Sequence, residues 1–312
     1  MEKRKMIIIS GPTAVGKTDL SVKLAEHING AVISADSVQV YKRLDIGSAK
    51  ITDEEKKNID HYLIDCLEPD ERFDVSVFTK LAKQAAESIY SEGKIPIVVG
   101  GTAFYIQAFL KDVNFEEEQH DFTYRDELMS KSEDELYDML CKIDNEYAVS
   151  VHKNNKKRVV RALEYNHYTG RKFSEYNAEQ SSNESVYDYV YFVLNDERGK
   201  LYERIDRRVD RMIDDGLENE VRSLLDEGLS ENMTSMQGIG YKEMTDFIRG
   251  RCSIEEAVDN IKTATRHFAK RQLTWFKREP DVIMINKQDF NYDEDAVLEY
   301  MLDKINEKIM KK

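Results

Sequence analysis

Gly11-Pro12-Thr13-Ala14-Val15-Gly16-Lys17-Thr18 fits the pattern G-x-x-x-x-G-K-[ST], a loop that cradles a diphosphate or triphosphate. Its surroundings support the reading. Met6-Ile7-Ile8-Ile9-Ser10 is a short apolar run, as a buried parallel strand is. Leu20, Val22, Leu24, Ala25 and Ile28 then recur at roughly helical spacing. In the order strand, loop, helix, Gly11 and Gly16 permit backbone geometries closed to other residues. Successive N–H groups curl into an anion nest, and the helix N-terminus adds partial positive charge. Lys17 brings a full charge to the phosphates, and the Thr18 hydroxyl is placed to ligate Mg²⁺. The loop alone does not say what becomes of the phosphates.

The chain has 312 residues and a net charge of −14, which argues against a protein that coats nucleic acid non-specifically. A local basic face is still allowed, because salt screens charges beyond roughly 8–10 Å. Acid is concentrated in runs such as Glu116-Glu117-Glu118 and Asp293-Glu294-Asp295. No run is long and apolar enough to span a membrane, and the start does not read as a signal or transit peptide. Cys66, Cys141 and Cys252 are far apart and form no CxxC, so a reducing cytoplasm is expected, without disulfides or a cysteine metal site.

Ala31-Val32-Ile33-Ser34 reads as a second strand ending near Asp36, which would face the same crevice as the loop. A turn-capping aspartate is the bland alternative. His61 to Asp65 reads as another strand, and Val75 to Tyr90 as a helix stopped at Gly93. Ile95 to Val99 leads into Gly100-Gly101-Thr102. An ATPase commonly has an aspartate at the end of such a strand, so its absence weakens an ATPase or GTPase reading. From about Asp112 to Ser185 the chain is polar and helical in pattern, with Lys153, Lys156, Lys157, Arg158 and Arg161 gathered at one helix start. The expected fold is α/β: a P-loop NTPase-like core (residues 1–112 and 186–312) with a parallel sheet flanked by helices, plus a mainly α-helical insertion (113–185).

Tyr189 to Leu194 returns to the sheet. The next helix buries Leu201, Ile205, Val209 and Met212, with Arg204, Arg208 and Arg211 on a bordering face. Arginines suit phosphate, but pairing with Asp206, Asp210 or Asp214 along the helix is the alternative, at ~0.2–0.5 kcal/mol per pair. Ser253-x-x-Glu256 opens the longest helix, with Ile254, Ala257, Val258, Ile261, Ala264 and Phe268 as its buried face. Its second half, with Arg266, Lys270, Arg271, Lys277 and Arg278 around Trp275 and Phe276, has what a nucleic-acid groove needs; compensation of the helix dipole is the alternative. Val282 to Ile285 and a last amphipathic helix carry no evident chemistry.

Several separated stretches together resemble the tRNA dimethylallyltransferase (tRNA isopentenyltransferase) family. They are Gly11–Thr18, Ser34–Tyr41, Asp45–Lys50, Val98–Tyr105, Arg158–Glu164 with Thr169-Gly170, Arg204–Met212, Ile239–Glu243 and Thr265–Lys277. Asp36-Ser37-x-Gln39-x-Tyr41 and Ala269-Lys270-Arg271-Gln272-x-Thr274-Trp275 are the most specific. Ser48, Tyr62 and Lys157 depart from the family's usual residues. The resemblance implies transfer of a dimethylallyl group from dimethylallyl diphosphate to N6 of the adenosine beside the anticodon, with Mg²⁺, releasing diphosphate. It implies Asp36 as general base, with Lys17 and Arg208 on the diphosphate and Gly11, Pro12, Thr13, Ala14, Val15, Gly16, Lys17 and Thr18 around it. It places tRNA contacts at Asp36-Ser37-Val38-Gln39, Thr102, Arg125, Lys157-Arg158-Val159-Val160-Arg161, Gly238-Ile239-Gly240-Tyr241-Lys242-Glu243, and Lys270, Arg271, Gln272, Thr274, Trp275 and Lys277. The partners expected are the tRNA anticodon stem-loop and the diphosphate donor, with no membrane, and the chain a monomer in the cytoplasm. The rivals are a prenyltransferase of free adenine nucleotides, a P-loop kinase or NTPase that binds ATP, and a tRNA-binding protein with a vestigial loop.

Overall fold

A computed structural model describes residues 3–113, 115 and 122–310; the acidic run at 116–118 lies outside them. The chain divides into two compact units, Met1–Phe109 with Val186–Lys312, and Leu110–Ser185.

In the first unit, β1 (Arg4–Ser10) is followed by α1 (Lys17–Ile28) and β2 (Gly30–Ser34). After the short α2 (Asp53–Lys56) come β3 (His61–Tyr62), α3 (Val75–Ser91), β4 (Ile95–Gly100) and α4 (Ala103–Leu110). The six-stranded sheet is completed by two strands of the later chain, β5 (Tyr187–Asn195) and β6 (Val282–Asn286), in the order β3-β2-β4-β1-β5-β6. Every pairing is parallel, which explains the near-continuous apolar runs: Met6 to Ile9 and Val190 to Leu194 are buried on both faces. The order places β1 between β4 and β5, so the chain leaving β1 opens on a crevice at the carboxyl ends of the strands.

The strand expected over His61 to Asp65 stops after two residues, because Leu63 and Asp65 adopt left-handed backbone (φ 62 and 54) that breaks the ladder. Gly100 shows how closely β2 and β4 converge. A Cβ there would sit 2.2 Å from the Ala35 carbonyl oxygen, and neither backbone has room to give. Gly100→Ala is therefore expected to cost about 1–3 kcal/mol, read as a lower urea midpoint. An unchanged midpoint would mean that the crossing has slack.

Four helices complete the cleft side: α10 (Arg198–Asp214), α11 (Leu217–Asp226), α12 (Tyr241–Ile248) and α13 (Ile254–Phe276). In the chain they follow the five helices of the second unit. The expected stripe of α10 is buried as read: Leu201, Ile205, Val209 and Met212. Its charges are used differently from the along-helix pairing considered above. Arg204 pairs with the buried Asp196, Asp206 takes Arg266 of α13 at 2.8 and 2.9 Å, and Asp210 takes Lys262. The last two pairs lock α10 to α13. On α13, Ala257 and Ile261 are buried as read and Val258 and Ala264 half-buried, but the innermost stripe continues through Ala269, Gln272 and Phe276. Towards the end of the unit, α14 (Glu294–Ile305) packs against α1 and β5.

The second unit is helical: α5 (Phe122–Ser130), α6 (Glu133–Ile143), α7 (Asn145–Ser150), α8 (Lys156–Thr169) and α9 (Phe173–Ser182). The expected capping box opens α6: Glu135 N donates to Ser132 Oγ (3.3 Å) and Ser132 N to Glu135 Oε2 (2.9 Å). Gly170 ends α8 at φ 70. Leu128, Leu136, Leu140, Val159, Val160 and Leu163 form this unit's own core.

Candidate functional site

The site grows from the turn between β1 and α1. Ala14 holds a left-handed φ of 62, a conformation that costs an ordinary residue on the order of 1–3 kcal/mol and is tolerated where function requires it. Gly16, at φ 93, opens α1 and points the helix N-terminus into the crevice. Lys17 Nζ folds back over the loop and donates to the carbonyls of Gly11 (3.1 Å) and Pro12 (2.8 Å). Burial, and then the Arg208 charge, push this ammonium down to about 7; Asp36 opposes them.

Three side chains from distant elements close on the loop. Arg208, from α10, lies 3.4 Å from Thr13 Oγ1 and donates to the Ser48 carbonyl at 3.3 Å; burial holds it below its ordinary value. Gln272, from α13, accepts from Thr13 N (2.9 Å) and donates to the Gly101 carbonyl (3.0 Å), tying the loop to the turn after β4. Asp36, just past β2, accepts from Val38 N (2.8 Å) and Gln39 N (3.2 Å) on Oδ1. The turn role and a place in the crevice thus coexist in one carboxylate.

Two cavities meet at these residues. The larger, about 320 Å³, has an apolar wall of Ile205, Val209, Met212, Ile239, Ile261 and Phe268. The smaller, about 100 Å³, carries Lys17, Thr18, Ser21 and Ser34. Both are lined by Thr13, Asp36, Gly101, Arg208, Phe268 and Gln272. An anionic group at the polar end can thus be joined to a hydrocarbon at the apolar end, with a carboxylate at the junction. Phe268, expected on the buried face of α13, is half-buried and faces both cavities. His61, read only as strand, lines the smaller one. Its Nδ1 bonds the Ile59 carbonyl at 2.8 Å, Nε2 is buried and has no hydrogen-bond partner among the described residues, and burial pushes the ring's affinity for a proton down.

The RNA-contact residues expected from the resemblance fall into distinct places. Ser37, Val38, Thr102, Gly238 and Ile239 line the larger cavity with Asp36. Gln39 turns inward, donating to the Ser48 and Ala49 carbonyls at 3.3 and 3.2 Å. Beyond Gly240 (φ 98), Tyr241 is fully buried, Glu243 accepts from Gly240 N at 2.9 Å, and Lys242 is exposed. On α13, Lys270, Arg271, Thr274 and Lys277 are exposed, whereas Gln272 faces inward. Lys270, Arg271, Thr274 and Trp275 line an open groove of about 390 Å³ with His267 and Arg278; Arg271 also lines the larger cavity.

In the helical unit, Lys157 and Arg158 are exposed and Arg161 half-buried, while Val159 and Val160 are in the core. Arg125 lies 3.5 Å from the buried Glu164. The basic cluster read from sequence is partly spent internally: Lys153 pairs with Asp134, and Lys156 caps the Met129 and Lys131 carbonyls at 2.7 and 2.6 Å. Among the described residues no group of three or more His, Cys, Asp or Glu side chains could hold a metal ion.

A family model described as IPP transferase matches residues 39–279, starting just past the loop and Asp36. A curated tRNA dimethylallyltransferase from Lachnoclostridium phytofermentans is 53% identical over 298 residues, covering 94% of this chain and 95% of that protein. Among solved structures, the full-length tRNA isopentenylpyrophosphate transferase from Bacillus halodurans superposes with a TM-score of 0.74 at 41% identity, over 98% of both chains. A eukaryotic dimethylallyltransferase acting on tRNA gives 0.82 at 31% identity, over 99% of this chain and 77% of the other.

Proposed function

Because this chain belongs to the IPP transferase family, we infer that it is a tRNA dimethylallyltransferase, a prenyl-transferring enzyme that modifies tRNA. The donor we propose is dimethylallyl diphosphate, and the acceptor N6 of the adenosine beside the anticodon. One observation carries the reading: a polar cradle built on Lys17, Thr13 and Arg208 is continuous with an apolar wall, and Asp36 stands where they meet. A γ-phosphate switch has no use for the hydrocarbon wall.

In this reading the diphosphate lies against the loop amides, Lys17, Thr13 and Arg208. The five-carbon chain extends along Ile205, Val209 and Phe268, which shield it from water. The bond between C1 and the diphosphate oxygen breaks as N6 attacks C1. Its electron pair leaves with the diphosphate, whose growing charge Lys17 and Arg208 stabilise. Asp36 takes the proton that N6 loses. The oxygen donors of the smaller cavity include the Thr18, Ser21 and Ser34 hydroxyls and a single carboxylate, a set that suits Mg²⁺, which takes few protein ligands and favours phosphate oxygens. Thr18 would hold it, and bound there it adds positive charge beside the leaving group.

The flipped adenine enters the larger cavity past Ser37, Val38 and Thr102, at a cost of a few kcal/mol that backbone contacts must offset. Lys270, Arg271 and Lys277 on α13, with Lys157 and Arg158 of the helical unit, supply those contacts to the anticodon arm. We place the enzyme in the cytoplasm as a monomer. All three cysteines are free, and among the described residues no helix is long and apolar enough to cross a membrane.

Nucleoside analysis of an anticodon stem-loop incubated with the protein and dimethylallyl diphosphate tests the reading. Prenylated adenosine is the expected product, and kcat/KM on the stem-loop is expected to exceed that on AMP by about 10³ and to fall steeply between 50 and 200 mM salt. Comparable turnover of AMP, or robust release of phosphate from ATP, would replace this reading with one of its rivals.

A further inference from the structure

We propose that Glu220 is a positioning residue for the leaving group, acting on Arg208 through the loop at residues 45–49. The inference rests on the prenyl-transfer reading for the role of Arg208, but not for the geometry.

Arg208 is oriented by weak means. Among the described residues no carboxylate hydrogen-bonds its guanidinium; its acceptors are the Ser48 carbonyl at 3.3 Å and the Thr13 hydroxyl at 3.4 Å. The Ser48 carbonyl is thus one of the two groups that set where the guanidinium points, and the loop that carries it is itself firmly held. Glu220, on α11, accepts from three successive backbone N–H groups: Asp45 (3.0 Å) and Ile46 (2.8 Å) on Oε2, and Gly47 (3.1 Å) on Oε1. The buried Tyr241 donates its hydroxyl to the same Oε1 at 2.7 Å. Burial and the Glu220 carboxylate push that phenol above its ordinary range, so it stays a neutral donor. The Tyr241 ring also presses on the loop: a Cβ on Gly47 would come within 2.6 Å of it. From the other side Gln39 Nε2 donates to the Ser48 and Ala49 carbonyls.

A carboxylate satisfied by four donors makes charge-assisted bonds that one neutral acceptor could not replace. Arg208 leaves from α10 and Glu220 from α11, the next helix in the chain. The two helices thus set the arginine and the carbonyl that aims it. Displacement of a transition-state donor by about 1 Å can cost on the order of 10²-fold in rate. Loop anchoring alone would change stability and leave the arginine's contribution intact.

The test is a double-mutant cycle on the full chain, with Glu220→Gln, Arg208→Ala and the pair, read by titration of inorganic pyrophosphate with Mg²⁺ and by single-turnover transfer to the stem-loop. Glu220→Gln is expected to weaken pyrophosphate binding about tenfold and slow transfer by about 10- to 100-fold, with stem-loop affinity held within about twofold. In the Arg208→Ala background the same change should add less than about twofold. Losses that simply multiply, or a loss confined to stem-loop affinity, would overturn the proposal. Tyr241→Phe keeps the ring and removes one donor, so it should shift pyrophosphate binding in the same direction by a smaller factor. Should Glu220→Gln fail to fold, this variant decides the matter, and pyrophosphate binding equal to wild type would then discard the proposal. Failure of the unmodified protein to bind pyrophosphate would count against the prenyl-transfer reading. Binding by it, matched by both variants, would count against Glu220 alone.

Discussion

Asp36→Asn is expected to keep the affinity for an anticodon stem-loop and to lose about 10²- to 10⁴-fold in the rate of transfer, the range that one positioned base supplies. The substitution is close to isosteric, and its geometry is favourable. Oδ1 of Asp36 accepts from Val38 N and Gln39 N, and an asparagine oxygen can keep both bonds, so the Ser37 to Gln39 turn survives. What is lost is an oxygen able to accept the N6 proton. A confounding effect comes through Lys17, because the Asp36 charge helps hold that lysine protonated. Neutralising Asp36 should lower the proton affinity of Lys17 further and weaken the diphosphate grip. The assay is therefore single-turnover transfer from a preformed complex below pH 7, with both substrates saturating. A rate equal to wild type would leave Asp36 as the turn aspartate that its local hydrogen bonds already make it.

The parts legible in the sequence are those whose cause is local. The loop after β1 was legible because eight consecutive residues carry its chemistry, and the strands β1, β2 and β4 because burial on both faces leaves each a continuous apolar run. The stripe on α10 and the capping boxes at Ser132 and Ser253 obey helical spacing, so they needed no tertiary knowledge. Glu220 was not legible: three of its four donors are backbone N–H groups 173 to 175 residues earlier, and a backbone donor leaves no mark in sequence. Arg204 was invisible for a related reason. Its acceptor, Asp196, lies before the helix rather than along it. Gln272 is the instructive case. Resemblance put it among the RNA contacts, yet its amide is spent on Thr13 and Gly101. A signal existed, since Phe268, Gln272 and Phe276 recur every four residues, which puts a polar amide on an apolar inner face.

That inner face also bears on how the two substrates are brought together. Helix α13 exposes Lys270, Arg271 and Lys277 on one side and inserts Gln272 between the loop and Gly101 on the other. Because α10 is bound to α13 through Asp206–Arg266 and Asp210–Lys262, Arg208 and Gln272 approach the same Thr13 from two braced helices. In the proposed reading, the RNA contacts and the diphosphate cradle would therefore share one rigid support, which favours a preformed site over one assembled by a large closure.

Lys17→Met should lose about 10³-fold or more in transfer, an effect of the same order as that of Asp36→Asn, because it removes a full charge from beside the leaving group. The free protein already carries a cost there. Burial and the neighbouring Arg208 bring the ammonium down to about 7, so near neutrality a substantial fraction is uncharged. A bound diphosphate reverses the balance, since an anion beside the amine favours its charged form. Binding above pH 7 must then take up a proton, and diphosphate affinity should fall as pH rises from about 7 towards the lysine's bound value. Calorimetry of pyrophosphate binding at pH 8 in buffers of different ionisation enthalpy would reveal this uptake, and Lys17→Met should abolish it. The same lysine shapes stability. Its unfolded value is the ordinary 10.5, so between about 7 and 10.5 the unfolded chain holds more protons. This group's contribution to stability therefore rises with pH across that window and is least favourable below it. Methionine keeps the aliphatic reach without the buried charge, so Lys17→Met should melt higher than wild type at pH 6.5 while failing to turn over. A variant that is inactive and melts lower would mean that the bonds from Lys17 to Gly11 and Pro12 hold the loop together, and that its loss of activity reports a collapsed cradle instead of a missing charge.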